Sequence, residues 1–338
     1  MEHVRIFVNK LAIGESLDVD EASELMNAIM EGEATPAQIG SILTALSIKG
    51  ETSKEIAGMA KTMQEKSLLV DFKGPVSDSC GTGGDNSKTF NISTTSAIVA
   101  SAAGLTIAKH GNRAASGSCG SADVLEALGV IIDLDSSGVL KCLNEVGIGF
   151  MFAPNFHPAM KYVAPIRREL GIRTVFNILG PLTNPARAKH QLIGVHDPQL
   201  GPIMAEVLAL MGTEHSIVVH GEDGLDEISL GAPTRIWEVN RSNINQYRIF
   251  PEELGISYAE KSQLVAENVT DNVRLLVNVL NGEKGPHRDI VLLNAAGVLI
   301  AGDLVDNFSE GINYASEAID SGKAKTKLEE LLEVTKSL

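Results

Sequence analysis

The chain has 338 residues, 44% of them hydrophobic and 21% charged, a composition of soluble globular proteins and a length that suits about two domains. A net charge of −15 argues against nucleic acid or an acidic membrane as the main partner, and no apolar run is long enough to span a bilayer. Cys80, Cys119 and Cys142 show neither CxxC nor metal-ligand spacing, and the first residues lack a basic-plus-apolar leader pattern; both features predict a cytoplasmic protein with reduced thiols.

Residues 1 to about 66 carry helical periodicity only. Ala22, Leu25, Met26 and Ile29 repeat on one helical face, as do Ile39, Ile42, Leu43 and Leu46. Thr35-Pro36 reads as a cap followed by proline at the first helical position, and Thr52 with Glu55 as a capping box. From Val76 the pattern alternates. Strands are predicted at Val76–Cys80, Leu105–Ala108, Gly149–Phe152, Leu192–Val195 and Ser216–His220, with added antiparallel strands at Ile228–Leu230 and Arg235–Val239. Helices are predicted at Thr94–Gly104, Ser121–Leu128, Ser137–Val146, His157–Leu170, Leu200–Met211, Asn272–Leu280, Ile290–Ala301 and Asn307–Leu338, the last broken at Asp320-Ser-Gly322. The class is therefore α/β: a small all-helical domain plus a large domain whose mostly parallel central sheet is flanked by helices.

The chemistry concentrates between Ser79 and Gly129. Gly81-Thr-Gly83-Gly84-Asp85 joins a predicted strand to a helix of small residues. Glycines let a ligand approach the backbone, and N–H groups before a helix attract anions. Asn91, Ser93, Thr94 and Thr95 sit where that helix begins and can cap it or bind ligand oxygens. Lys109-His-Gly-Asn-Arg113 ends the next strand, and a second small-residue loop, Ala114 to Ser121, follows. Two such loops suit a ligand with two separated phosphate groups. Lys88, Lys109, Arg113, Arg167, Arg168 and Arg173 supply the local positive charge that the acidic whole lacks. His220 to Glu227 places four carboxylates in six positions after a strand, either a solvated acidic turn or an Mg²⁺ site.

GTGGD, then NISTTSA, then KHGNRAASGSCGSADVLEALG closely resembles the anthranilate phosphoribosyltransferases of tryptophan biosynthesis. FAPNFHPAMKYVAPIRRELGIRTVFNILGPLTNPA and GEDGLDEISL fit the same family, so the likeness runs from the N-terminus to the last helix. The resemblance implies a helical domain over residues 1–70, completed by about 165–188, and an α/β domain over the rest of 71–338 that binds phosphoribosyl pyrophosphate (PRPP). It implies transfer of the phosphoribosyl group of PRPP to the amine of anthranilate.

For PRPP the resemblance implies Gly81, Gly84, Asp85, Thr89, Asn91, Ile92, Ser93 and Thr94 on the first loop. On the second it implies Lys109, His110, Gly111, Asn112, Arg113, Ala114, Ala115, Ser116, Gly117 and Ser121. Gly81, Asn112 and Arg167 are implied for anthranilate, and Ser93, Asp226 and Glu227 for Mg²⁺. Phe156 and Met160 are expected to line the approach of anthranilate. No nucleophile is obligatory; His110 is the candidate general base, with a positioning role as the alternative. His157, before a proline, reads as structural as much as functional. The expected partners are the two small substrates and a second copy of the chain through the N-terminal helices, with no nucleic acid and no membrane. A pyrimidine nucleoside phosphorylase shares this architecture, but GTGGD with Asp226-Glu227 favours a metal-bound pyrophosphate. A non-catalytic nucleic-acid-binding relative is the other alternative, and the acidic charge counts against it.

Overall fold

The structure, a computed structural model, describes residues 2–85, 87–114 and 119–338; Ala115, Ser116 and Gly117 of the second loop lie outside them. Four helices open the chain: α1 (Glu2–Ala12), α2 (Val19–Met30), α3 (Pro36–Lys49) and α4 (Ser53–Glu65). Asp18, Thr35 and Thr52 cap α2, α3 and α4, each answered by the side chain three residues on, so two exposed backbone donors are satisfied at every start. Helix α4 crosses α2 at Gly58, where a β-carbon would collide with the Val19 carbonyl oxygen.

The alternation then runs β1 (Ser77–Gly81), α5 (Ile92–Ala102), β2 (Ile107–Gly111), α6 (Ser121–Leu128), α7 (Ser136–Glu145) and β3 (Ile148–Phe152). Short helices α8 (Ala153–Phe156), α9 (Ala164–Leu170) and α10 (Phe176–Leu179) interrupt it. It resumes with β4 (His190–Gly194), α11 (Leu200–Leu210), β5 (His215–Gly221), β6 (Thr234–Asn240) and β7 (Asn243–Ile249). Helices α12 (Val269–Leu280), α13 (Pro286–Ala301), α14 (Phe308–Asp320) and α15 (Lys323–Lys336) complete the chain.

The seven strands form one sheet in the order β3-β2-β1-β4-β5-β6-β7. The first five are parallel, and β6 and β7 join antiparallel. Strand order reverses at β1, which leaves a crevice outside the carboxyl ends of β1 and β4, where doubly wound sheets bind ligands. Side-chain alternation divides the interior in two. Leu192, Ile217, Val219 and Ile236 face the cluster under α5 and α13; Ile193, Val218, Trp237 and Val239 face the cluster shared with α11 and the N-terminal helices. Val163, Ile166, Phe176 and Leu179 of the interrupting segment pack into that second cluster.

Three expectations change. Ile228–Leu230 is not a strand, because the buried Asn294 side chain takes both backbone bonds of Ile228 that a neighbouring strand would have supplied. The helix expected over His157–Leu170 is a 3₁₀ turn at Pro158–Tyr162 followed by α9, since Pro165 cannot continue an earlier helix. Strand β7 has no counterpart among the expected elements: it is a mostly exposed, polar edge strand without apolar alternation. Replacing Gly58 by Val is expected to destabilise the fold by about 2 kcal/mol through overpacking of α2 on α4. A lower urea midpoint at unchanged slope would show it.

Candidate active site

The glycine loop and the acidic turn form one unit. Strand β1 ends at Gly81, in register with Gly194 at the end of β4. The turn after β5 lies across both ends: a β-carbon at Gly81 would strike the Asp226 carboxylate, and one at Gly194 its backbone carbonyl. Gly83 donates its N–H to Asp226 Oδ2 at 2.8 Å, and Glu227 lies beside the backbone of Ser93. The other two acids of the turn are spent elsewhere. Glu222 pairs with Arg235 and Arg248, while Asp223 accepts from Ser229 Oγ at 2.8 Å and shapes the turn.

Asp85 faces Asp226, and among the described residues its buried Oδ2 has no hydrogen-bond partner. Enclosure raises the Asp226 pKa, with the Asp85 charge adding to it. Glu227 is pushed well above its ordinary value by burial and then by Asp226. Carboxylates held this close, with too few donors, fit a cation. Among the described residues no three His, Cys, Asp or Glu side chains converge to hold one alone. That suits Mg²⁺, which takes one or two carboxylates and completes its shell with water and phosphate oxygens.

Hydroxyls and amides tie this loop to the next. Thr94 Oγ1 lies 3.1 Å from both Asn91 Oδ1 and Ser121 Oγ, and Asn91 Nδ2 donates to the Cys119 carbonyl at 3.1 Å. Asn91 occupies the cap position of α5 but makes no capping bond; its side chain links the loops instead. Ile92 is buried beneath them, and Thr89 is pinned to Val265 by an isolated bridge. Lys109 is buried, donates to the Ser79 carbonyl and reaches to 3.4 Å of Ser93 Oγ. Gly111 admits the Phe150 ring and Ser121. Ala114 donates its N–H to Asp123 at 3.1 Å.

Arg113 finds its partners on its own side of the loop. Its guanidinium is held by Asp123 at 3.0 Å and Glu126 at 2.7 Å, and it stacks on Phe152 at 5.5 Å. Two carboxylates of α6 lie within its reach, so its charge is satisfied there rather than in the cleft.

Beside the loops opens a cleft of about 420 Å³, lined among others by Met63, His110, Asn112, His157, Met160, Arg167 and Phe176. Phe156 is buried in the core and does not line it. Arg167 stacks over Phe176 at 5.4 Å, and among the described residues it pairs with no carboxylate. The exposed Asn112 accepts at Oδ1 from the Arg113 N–H at 2.7 Å. His110 and His157 lie with ring centroids 5.1 Å apart, both buried, with each Nε2 unpartnered. His110 Nδ1 sits 3.2 Å from the Gly180 carbonyl, which assigns the proton to Nδ1. Burial lowers His110 to a pKa of about 3 and His157 to about 4. Burial thus favours the neutral form of both rings.

Three neighbours of the first loop were outside the expected site. Thr82 donates its N–H to Gly194 and its Oγ1 lies 3.2 Å from His196 Nδ1. The Arg173 guanidinium occupies the space where a Gly84 side chain would be. His196 had a signal in the sequence, since it directly follows the strand predicted to end at Val195, on the ligand side of a parallel sheet.

Comparison with known proteins agrees with this geometry. Residues 73–325 match the family model described as "Glycosyl transferase family, a/b domain", and residues 5–67 its "helical bundle domain". The chain is 52% identical over 336 residues, 99% of both chains, to the anthranilate phosphoribosyltransferase of Chloroflexus aggregans. It is 54% identical to that of Herpetosiphon aurantiacus, covering 94% of this chain and 95% of that one. The crystal structure of the Thermus thermophilus enzyme superposes with a TM-score of 0.93 at 43% identity, covering 98% and 99% of the two chains. The Saccharomyces cerevisiae enzyme in complex with PRPP and Mg superposes with a TM-score of 0.91 at 32% identity, covering 99% and 98%. The chain belongs to the anthranilate phosphoribosyltransferase family.

Proposed function

We infer that this chain transfers the phosphoribosyl group of PRPP to the amine of anthranilate, giving N-(5-phosphoribosyl)anthranilate and pyrophosphate, in tryptophan biosynthesis. One observation carries the reading: an acid-lined glycine loop ends β1, and at the end of the neighbouring β2 lies a largely apolar cleft whose arginine has no carboxylate partner among the described residues. The first half suits a metal-bound pyrophosphate, the second an aromatic carboxylate.

Gly81, Gly84 and Asp85, with Thr89, Asn91, Ser93 and Thr94, hold the pyrophosphate and ribose hydroxyls. Lys109, His110, Gly111, Asn112 and Ala114, with Ser121, hold the remaining phosphate and ribose. Ser93, Asp226 and Glu227 hold Mg²⁺, which supplies neutralising charge to the leaving group when bound. The acceptor is a weak nucleophile, because an aromatic amine shares its lone pair with the ring. C–O cleavage therefore leads, through an oxocarbenium-like state. The work of the protein is orientation: Arg167 takes the anthranilate carboxylate in a two-bond fork, Asn112 and the Gly81 backbone border the amine, and Met63, Met160 and Phe176 exclude water from the ring.

The partition into residues 1–70 with 165–188, and the remainder of 71–338, is supported by the shared packing of α9 and α10 with the first four helices. A homodimer is supported by the α1–α3 face, which leaves Ile6, Ile13 and Ile48 exposed beside two shallow depressions. A cytoplasmic location is supported by three free thiols.

Arg167→Ala is expected to raise the KM for anthranilate about tenfold or more, with a smaller effect on that for PRPP; equal effects would remove Arg167 from the acceptor site. Asp226→Asn and EDTA are each expected to abolish the loss of anthranilate fluorescence in an assay with PRPP and Mg²⁺. His110 and His157 are expected to stay neutral between pH 5 and 8, so their ring signals in NMR should not titrate there. Because their folded pKa values lie below about 6.5, the unfolded chain binds more protons, and stability should fall as pH drops from about 6.5 towards 4 and 3.

A further inference from the structure

A leaving pyrophosphate brings several negative charges to a loop already bordered by Asp85, Asp226 and Glu227. The cations nearby are mostly committed. Lys109 is buried against the Ser79 carbonyl, and Arg113 is tied to Asp123 and Glu126. Arg173 is different: it is exposed, and among the described residues it pairs with no carboxylate. Its guanidinium lies against the backbone of Gly84, whose φ of +88° and lack of a side chain both permit the approach. Its charge also reaches His196, which lies 3.2 Å from Thr82 of the same loop.

The backbone of Arg173 belongs to the other side of the cleft. Ser47 Oγ of α3 donates to its carbonyl at 3.2 Å, and Asn177 Oδ1 accepts from the next N–H at 3.0 Å. The segment that carries Arg167 into the acceptor cleft therefore also carries Arg173 onto the glycine loop. We propose that Arg173 is a further substrate-binding residue of this enzyme, which lays its guanidinium on the pyrophosphate of PRPP and couples the helical side of the cleft to the leaving group. An arginine fork matches phosphate oxygens as well as it matches a carboxylate. The proposal rests on the reading of the glycine loop as the pyrophosphate site.

The test compares wild type with Arg173→Ala, Arg173→Lys and Arg167→Ala in steady-state kinetics, with inorganic pyrophosphate as product inhibitor and thermal unfolding as the control for folding. Arg173→Ala should raise both the KM for PRPP and the inhibition constant of pyrophosphate about tenfold or more, while the KM for anthranilate changes less than about twofold. Arg173→Lys should recover part of both effects, because it restores the charge without the fork. Arg167→Ala should show the opposite pattern between the two substrates. Pyrophosphate inhibition unchanged in a folded Arg173→Ala overturns the proposal, as does an equal rise in both KM values. Should Arg173→Ala fail to fold, unchanged pyrophosphate inhibition in Arg173→Lys overturns it in the same way. Wild type without turnover of PRPP and anthranilate would overturn the reading of the site itself.

Discussion

The site depends on how closely the Asp226 turn can lie on the ends of β1 and β4. Gly81 and Gly194 are register partners, and a β-carbon on either would push the turn away. Their absence lets the acidic segment cross the point where strand order reverses. The cost is electrostatic: Asp226 and Glu227 are enclosed beside Asp85, and their pKa values rise. A cation with substrate oxygens relieves that repulsion, so the closest packing in the crevice and its metal preference are two aspects of one arrangement.

The acidic character of the chain is then no obstacle to an anionic substrate. Its basic groups are distributed by neighbourhood. Lys109 is buried between the two loops, within reach of Ser93 and beside Glu227 and the buried Asp78. Arg113 braces α6 against its own loop. Arg167 and Arg173, carried by the interrupting segment, pair with no carboxylate among the described residues; Arg167 lines the cleft and Arg173 lies against Gly84.

That segment is held by a buried polar node. Asn184 donates from Nδ2 to Asp78 Oδ2 and to the Ala108 carbonyl, both at 2.8 Å, and Asp78 also accepts from the backbone of Ser79 and His110. Burial raises the Asp78 pKa, opposed by Lys109 and by these donors. Strands β1 and β2 and the return of the interrupting segment thus share one set of bonds. The two loops and the cleft beside them are consequently tied together by one buried set of hydrogen bonds.

The local pattern of the sequence determined the helical start, the alternation of strands and helices, the two small-residue loops and their family. Caps, periodicity and glycine spacing are properties of neighbouring residues, so one chain displays them without a fold. Tertiary structure decided where each of those residues stands and what it pairs with. It alone separated Asp226 and Glu227 from Glu222 and Asp223, which have the same chemistry but different partners. It turned Arg113 towards α6, buried His110 against His157, and set Arg173 against Gly84. It also made β7 a strand through pairing with β6, where its own polar residues gave no period to read, and replaced a strand at Ile228 by the side chain of Asn294. The physical reason is common to all of these. Charge, burial and hydrogen-bond satisfaction depend on atoms distant in sequence, whereas propensity and pattern depend on those close by.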